Sequence, residues 1–251
     1  MAAAASPLSP FASVWFDCDS TLTAIEGVDE LVRWSDPQAR AEVARMTELA
    51  MAGELPLADV YDRRLRRLAP RREHVDRIGE LYVERLVPDA AATVAALRFL
   101  GKRVGVLSGG LLPPVQRVAA ALGIADNDVQ AVAIAFAPDG AYAGFDRHSP
   151  LARNHGKVEI LRALPASARP LAFVGDGMTD AETRGTADRF IGFGGVVVRE
   201  PVRALADAYV TDPSIAGVLP PLLTAGEQAR LRAEPRFALL LDRSAARTRH
   251  G

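Results

Sequence analysis

A short apolar run, Val14-Trp15-Phe16, stops at Asp17-Cys18-Asp19 and is followed at once by Ser20-Thr21. Alternate residues of a strand point to the same side, so the carboxylates of Asp17 and Asp19 emerge together where the strand ends. Two anions side by side repel. Such a pair is stable when a cation lies beside it or when one carboxyl keeps its proton, and both conditions suit phosphoryl chemistry. Taken alone, the tripeptide also fits a solvated Asp-x-Asp turn capping the next helix, so the rest of the chain must decide.

From Ala24 to about Leu86 the sequence reads as helix. Val28-Leu31-Val32, Val43-Met46-Leu49-Ala50, Leu57-Val60-Tyr61-Leu65-Leu68 and Val75-Ile78-Leu81-Tyr82-Leu86 recur at helical spacing, punctuated by Gly53, Pro56 and Pro70. Roughly sixty residues of helix between the first strand and the next exceed what one crossover needs, which predicts an inserted helical cap. Pro88 marks the return. An Ala-rich helix, Thr93 to Leu100, leads to a strand over Arg103 to Leu107 that ends in Ser108-Gly109-Gly110. A helix opening with Pro113-Pro114 and running Val115 to Leu122 follows, so free N–H groups, a helix dipole and a hydroxyl meet as an anion site.

Ala131 to Ala137 and Ala141 to Phe145 read as a hairpin around Pro138-Asp139-Gly140. Lys157 then stands at the start of a helix from Val158 to Leu164, where the dipole disfavours a cation unless an anion is near. A third apolar strand, Leu171 to Val174, ends in Gly175-Asp176-Gly177-Met178-Thr179-Asp180. The carboxylate at Asp180 would repel a pyrophosphate but welcome a divalent cation, so this is no dinucleotide loop. Phe190-Ile191 and Val196-Val197-Val198, around Gly192 to Gly195, suggest one more strand with a glycine-rich bend.

The formal net charge of -1 argues against a general nucleic-acid or membrane-surface role, and no apolar stretch is long enough to span a membrane. The Ala/Ser/Pro-rich start has no basic segment and reads as a loose tail rather than a signal peptide. A single cysteine, Cys18, excludes an intramolecular disulfide and fits a reducing cytoplasm. Strands alternating with helices imply an α/β fold, Rossmann-like and doubly wound, with a mostly parallel sheet whose ligands gather beyond the carboxyl ends of the strands. Asp17, Asp19, Ser108, Asp176 and Asp180 all follow strands, and with Lys157 they supply the equipment of phosphoryl transfer.

These four stretches resemble the motifs of the haloacid dehalogenase superfamily: Asp17-Cys-Asp19-Ser-Thr21, Ser108-Gly109, Lys157 and Gly175-Asp176-Gly-Met-Thr-Asp180. Within it, Glu26-Gly-Val-Asp-Glu-Leu31, Met51-Ala-Gly53, Ala143-Gly-Phe-Asp146 and Phe190-Ile-Gly-Phe-Gly-Gly195 are similar to the phosphoserine phosphatase family. The likeness runs over residues 12 to 215 or so. It implies a core over 11–25 and 88–220, a helical cap over 26–87 and a C-terminal extension over 221–251 without assigned chemistry. It implies that Asp17 is the nucleophile and that Asp19 is the acid and then the base. Mg²⁺ would be held by Asp17, the carbonyl of Asp19 and Asp176, with Asp180 behind them, while Ser108, Gly109, Gly110 and Lys157 hold the phosphoryl oxygens.

The resemblance further implies a small phosphorylated amino acid as substrate, with neither nucleic acid nor membrane as partner, in a monomer or homodimer of serine biosynthesis. In the helix from Leu57, the apolar stripe puts Arg64 on the inward face, unlike Arg63, Arg66 and Arg67. An inward arginine needs an anion, either the substrate carboxylate, as the family implies, or a cap carboxylate. Glu26 would hold the substrate ammonium or cap a helix, and Thr179 would donate to the substrate or cap one. The pattern departs from the family at Leu111-Leu112, where Phe-Arg is usual, and at Val132, where an amide is expected, which leaves homoserine phosphate and phosphoethanolamine as alternatives. A phospho-accepting receiver module is opposed by the insertion and by Asp19 beside Asp17. A cysteine phosphatase on Cys18 lacks the required arginine six residues on, where Ala24 stands.

Overall fold

The computed structural model describes residues 10–51 and 57–241. Gly53, Pro56 and most of Met51-Ala-Gly53 lie outside the described residues, as do most of the N-terminal tail and 242–251. In chain order, β1 (Ser13–Phe16) is followed by the helices α1 (Gly27–Glu30), α2 (Pro37–Met51), α3 (Leu57–Leu68) and α4 (Arg72–Glu84). Then come α5 (Ala90–Phe99), β2 (Arg103–Leu111), α6 (Leu112–Ala121), β3 (Val129–Val132), β4 (Ile134–Phe136) and β5 (Tyr142–Phe145). The chain continues through α7 (Gly156–Ala163), β6 (Leu171–Gly175), α8 (Met178–Ala181), β7 (Arg189–Phe193), α9 (Glu200–Leu205), β8 (Ala208–Val210), α10 (Leu219–Leu222) and α11 (Ala225–Ala233).

Six strands form one parallel sheet in the order β3-β2-β1-β6-β7-β8. Such a sheet is covered on both faces, which is why its strands read as apolar runs rather than alternating ones. Val14 and Phe16 point into one core with Val104, Val106, Ala172, Val174, Ile191 and Phe193, where Val94 and Leu97 of α5 and Val115 and Val118 of α6 meet them. Trp15 points the other way, toward Phe173, Phe190, Leu161 of α7 and Val202 of α9. The chain builds β2 and β3 on one side of β1, then returns to add β6, β7 and β8 on the other. The strand order therefore reverses beside β1, and ligands of such sheets bind outside the strand ends at that point. Asp17 follows β1 and Asp176 follows β6, its neighbour.

The segment from α1 to α4 leaves and rejoins the sheet through adjacent linkers. Thr23 bridges Leu86 antiparallel, Ala24 N–H donates to Arg85 C=O, and Val87 N–H donates to Leu22 C=O. Among the described residues, no helix is long and apolar enough to cross a membrane.

Three local expectations are corrected. Ser108-Gly109-Gly110 is not a turn: β2 runs through it to Leu111 with a register shift against β3, and α6 starts at Leu112 without a connecting loop. The glycines permit this passage by their size, since a Cβ on Gly110 would lie 2.7 Å from Asp19 Oδ2 and 3.2 Å from Ser108 Oγ. The first arm of the expected hairpin divides, with Val129–Val132 joining the parallel sheet beside β2 and only Ile134–Phe136 pairing with β5. Val196 to Val198 form no strand; Val198 is 51% exposed, and the sheet's last strand is instead the short β8.

Candidate active site

Beyond the ends of β1, β2 and β6 lies a cleft of about 250 Å³. That is close to the lower end of the ~300–1,000 Å³ usual for small-molecule sites, so its ligand is small. Asp17, Asp19, Glu26, Arg64, Gly109, Gly110, Lys157, Asp176, Thr179 and Asp180 all line it, so these sequence-selected residues meet in one place. Ser108 is fully buried behind the glycines, its Oγ accepting the Gly110 N–H at 3.0 Å.

The turn after β1 is wound tightly around one carbonyl. Thr21, Leu22 and Thr23 all donate their N–H groups to Cys18 C=O, and Ser20 takes a left-handed φ of 50°, uncommon for a residue with a side chain. The turn fixes Ser20 so that its Oγ donates to Glu26 Oε1 at 2.6 Å, and it sets Thr21 Oγ1 3.3 Å from Asp176 Oδ1. Glu26 stands at the N-cap of α1 but its side chain makes no cap bond, so the capping alternative is not realised. Thr179 lies inside α8 rather than at its N-cap, which is Gly177.

Asp17, Asp176 and Asp180 are buried, and each offers a carboxylate oxygen within 4.8 Å of the other two. Hard oxygen donors at this spacing suit a small divalent cation. Burial pushes Asp176 up to about 6, the Asp17 charge adding to it, and pushes Asp180 up to about 7 for the same two reasons. Lys157 Nζ lies 2.8 Å from Asp17 Oδ1 and also pairs with Asp180. Burial works against the lysine's charge, but these two carboxylates outweigh it and raise its pKa. Asp180 fits tightly against β6, because a Cβ on Gly175 would overlap its carboxyl group.

The Asp19 carboxylate lines the same cleft but is not a member of that three-residue group. Its Oδ1 accepts from Gly27 N–H at 2.8 Å and from the hydroxyl of Tyr82. Burial, then the charges of Glu26 and Asp17, hold its pKa well above the carboxylate range, against the opposing pull of those two hydrogen bonds. Cys18 is fully buried, and burial followed by Asp19 raises its thiol, so it is no thiolate nucleophile.

Arg64 reaches the cleft from α3 and pairs with Asp29 of α1, a carboxylate of the inserted helices. Two participants escaped the sequence reading. Arg199, in the loop after β7, sets Nε 3.0 Å from Asp176 Oδ2 and Nη2 3.7 Å from Glu26 Oε1. It follows the apolar Val196-Val197-Val198 run closely, and a cation just past a strand end was the available signal. Tyr82 reads only as one more residue of an apolar helical stripe, and nothing in the sequence marks its hydroxyl. Six carboxyl groups and three cations line the cleft, Asp29 and Arg199 included. A phosphate dianion enters such a site only if a dication and a carboxyl proton offset that excess.

Residues 14–183 match the haloacid dehalogenase-like hydrolase family. The chain is 38% identical over 202 residues to phosphoserine phosphatase of Mus musculus, covering 80% of this chain and 89% of that one. It is 36% identical to phosphoserine phosphatase of Homo sapiens over the same shares of the two chains. A phosphoserine phosphohydrolase-like protein from Francisella tularensis has the same fold, with a TM-score of 0.67 at 23% identity over 88% of this chain and 99% of that one.

Proposed function

The chain belongs to the haloacid dehalogenase-like hydrolase family and is a phosphatase of it, and on that premise we propose that it hydrolyses O-phosphoserine to serine and phosphate. One observation carries this reading: Asp17, Asp176 and Asp180 converge within 4.8 Å at the strand ends, against a lysine, beneath an inward arginine. Residues 11–25 and 88–220 act as the phosphatase core and 26–87 as its cap, a division supported by the paired linkers at Thr23 and Leu86. Residues 221–251 are an extension; Leu231, Phe237, Leu240 and Leu241 are buried in the main core, which supports a structural role for its first part.

Asp17 attacks the phosphorus, the P–O ester bond breaks, and an aspartyl-phosphate forms. Asp19 gives its proton to the departing serine oxygen, then takes one from the water that attacks the aspartyl-phosphate, releasing phosphate and restoring Asp17. Oδ1 of Asp19 already accepts two hydrogen bonds, so the transferable proton sits on Oδ2. Lys157 and the backbone of Gly109 and Gly110 steady the phosphoryl oxygens, with Ser108 as a further donor. Asp17, the carbonyl of Asp19 and Asp176 would hold Mg²⁺, with Asp180 supporting from behind; the ion would neutralise the carboxylates and the phosphoryl charge that otherwise repel.

Arg64 reads the substrate carboxylate in competition with Asp29, Glu26 holds the ammonium, and Thr179 donates to the substrate. Leu112 and Val132 make the surroundings of β2 and β3 less polar than the family pattern, so phosphoethanolamine and homoserine phosphate belong in the test. The buried free thiol of Cys18 suits a reducing compartment such as the cytoplasm, and the protein works as a monomer or homodimer in serine biosynthesis. A kinetic panel with Mg²⁺ tests the reading: O-phosphoserine should give the highest kcat/KM among O-phosphoserine, O-phosphothreonine, phosphoethanolamine, homoserine phosphate and sugar phosphates. A sugar phosphate ranking first would overturn it.

A further inference from the structure

Besides Asp17 Oδ1, which is ion-paired with Lys157, two polar atoms of residues that line this cleft are buried without a hydrogen-bond partner among the described residues: the hydroxyl oxygen of Tyr61 and Nε of Arg64. Both side chains belong to α3, three residues apart, so they share one face of that helix. The far end of the Arg64 guanidinium is taken by Asp29, which leaves Nε–H pointing elsewhere. The Tyr61 ring is fixed by an edge-on contact with Phe145 of β5, centroids 5.2 Å apart, so its hydroxyl has little freedom to find another partner. Phenylalanine would make the same ring contact without burying an unpaired hydroxyl, and an unpaired buried hydroxyl is costly. The polar atom therefore has a use outside the folded chain alone.

Burial, followed by the Asp19 charge, raises the Tyr61 hydroxyl above its usual pKa, so it keeps its proton and acts as a donor. Tyr61 lines the same cleft as Asp19, the group that protonates the leaving oxygen, and Arg64, the group that reads the substrate's charge. Two N–H or O–H donors on one helical face match the two oxygens of a carboxylate.

We infer that the Tyr61 hydroxyl is a specificity-determining group that donates a hydrogen bond to the carboxylate of the substrate, forming with Arg64 Nε–H a two-point site for that group. This rests on the substrate being a phosphorylated amino acid. A phosphomonoester without the carboxylate leaves both donors as unpaired as they are in the free protein, so it gains nothing from the pair.

The test is Tyr61→Phe in the full chain with Mg²⁺, measured on O-phosphoserine, phosphoethanolamine and p-nitrophenyl phosphate. The expected result is a rise in KM for O-phosphoserine of about tenfold, the factor that one hydrogen bond to a charged group is worth, with kcat nearly unchanged. KM for the other two should stay within about twofold. An unchanged KM for O-phosphoserine, or equal losses on all three substrates, overturns the role of Tyr61. A wild-type protein that turns over phosphoethanolamine as well as O-phosphoserine overturns the amino-acid substrate itself, and the carboxylate site with it. That failure shows in the wild type, whereas a failure of Tyr61 alone shows only in the variant.

Discussion

Tyr82 of α4, itself 1% exposed, donates its hydroxyl to Oδ1 of Asp19, so a helix of the inserted segment holds the carboxyl that follows the first strand of the sheet. The contact fixes the orientation of Asp19, and it opposes the rise in pKa that burial imposes.

Tyr82→Phe removes that opposition, so the Asp19 pKa should rise further. Asp19 must be ionised to act as base on the aspartyl-phosphate, so the acidic limb of the kcat–pH profile should move to higher pH, with kcat at neutral pH reduced about tenfold. An unchanged limb would contradict a role for Tyr82 in setting Asp19.

Arg64→Ala should lower kcat/KM for O-phosphoserine by about 10- to 100-fold, the loss expected when a charged hydrogen-bonding partner is removed, and leave p-nitrophenyl phosphate nearly untouched. Equal losses on both would mean that Arg64 reads no carboxylate and serves only to tie α3 to α1 through Asp29.

Without a divalent cation, the cluster should make stability fall as pH rises. Asp176 titrates at about 6 and Asp180 at about 7 when folded, both above an ordinary aspartate. A raised carboxyl pKa favours the folded state below the unfolded value of about 4, and that contribution is lost as pH climbs to about 7. In EDTA, Tm should therefore drop between pH 5 and pH 7.5, and millimolar Mg²⁺ should restore more at pH 7.5 than at pH 5. An equal effect of Mg²⁺ at both pH values would speak against these carboxylates as its ligands.

Lys102, at the start of β2, pairs with Glu227 of α11 and donates to Phe11 C=O at 2.9 Å, with both side chains nearly buried. Glu227→Gln leaves the ammonium without its counter-charge, at a cost of about 3 kcal/mol, or a Tm lower by about 10 °C. Burial alone would raise Glu227, but the hydrogen bonds from Lys102 and Thr224, together with the Lys102 charge, outweigh it and leave the pKa below an ordinary glutamate. The stabilisation should hold above the unfolded value of about 4.5 and vanish as pH falls through the folded one, so wild type and variant should converge in acid. A constant gap down to low pH would contradict the pairing.

The site was legible where chemistry sits at the tip of an apolar strand. Asp17, Asp176 and Asp180 follow β1 and β6, and their residue types restrict what they can do there. Legibility failed where the backbone departed from propensity: Ser108-Gly109-Gly110 reads as a turn because glycine usually breaks strands, yet here glycine lets β2 pass close to Asp19. Val196 to Val198 have the composition of a strand but pair with no strand among the described residues, while β8 is three half-buried residues with little pattern to read. Tyr61 and Tyr82 were visible only as apolar members of helical stripes. What their hydroxyls do depends on residues such as Asp19, 63 positions away from Tyr82, and only the folded chain brings such partners together.

The most direct measurement is to mix the protein with O-[³²P]phosphoserine and Mg²⁺, quench in acid within milliseconds, and map the label. Radiolabel on the peptide carrying Asp17, absent from Asp17→Asn although that variant keeps the wild-type Tm, is the predicted result. Label on another residue, or full turnover by Asp17→Asn, would contradict it.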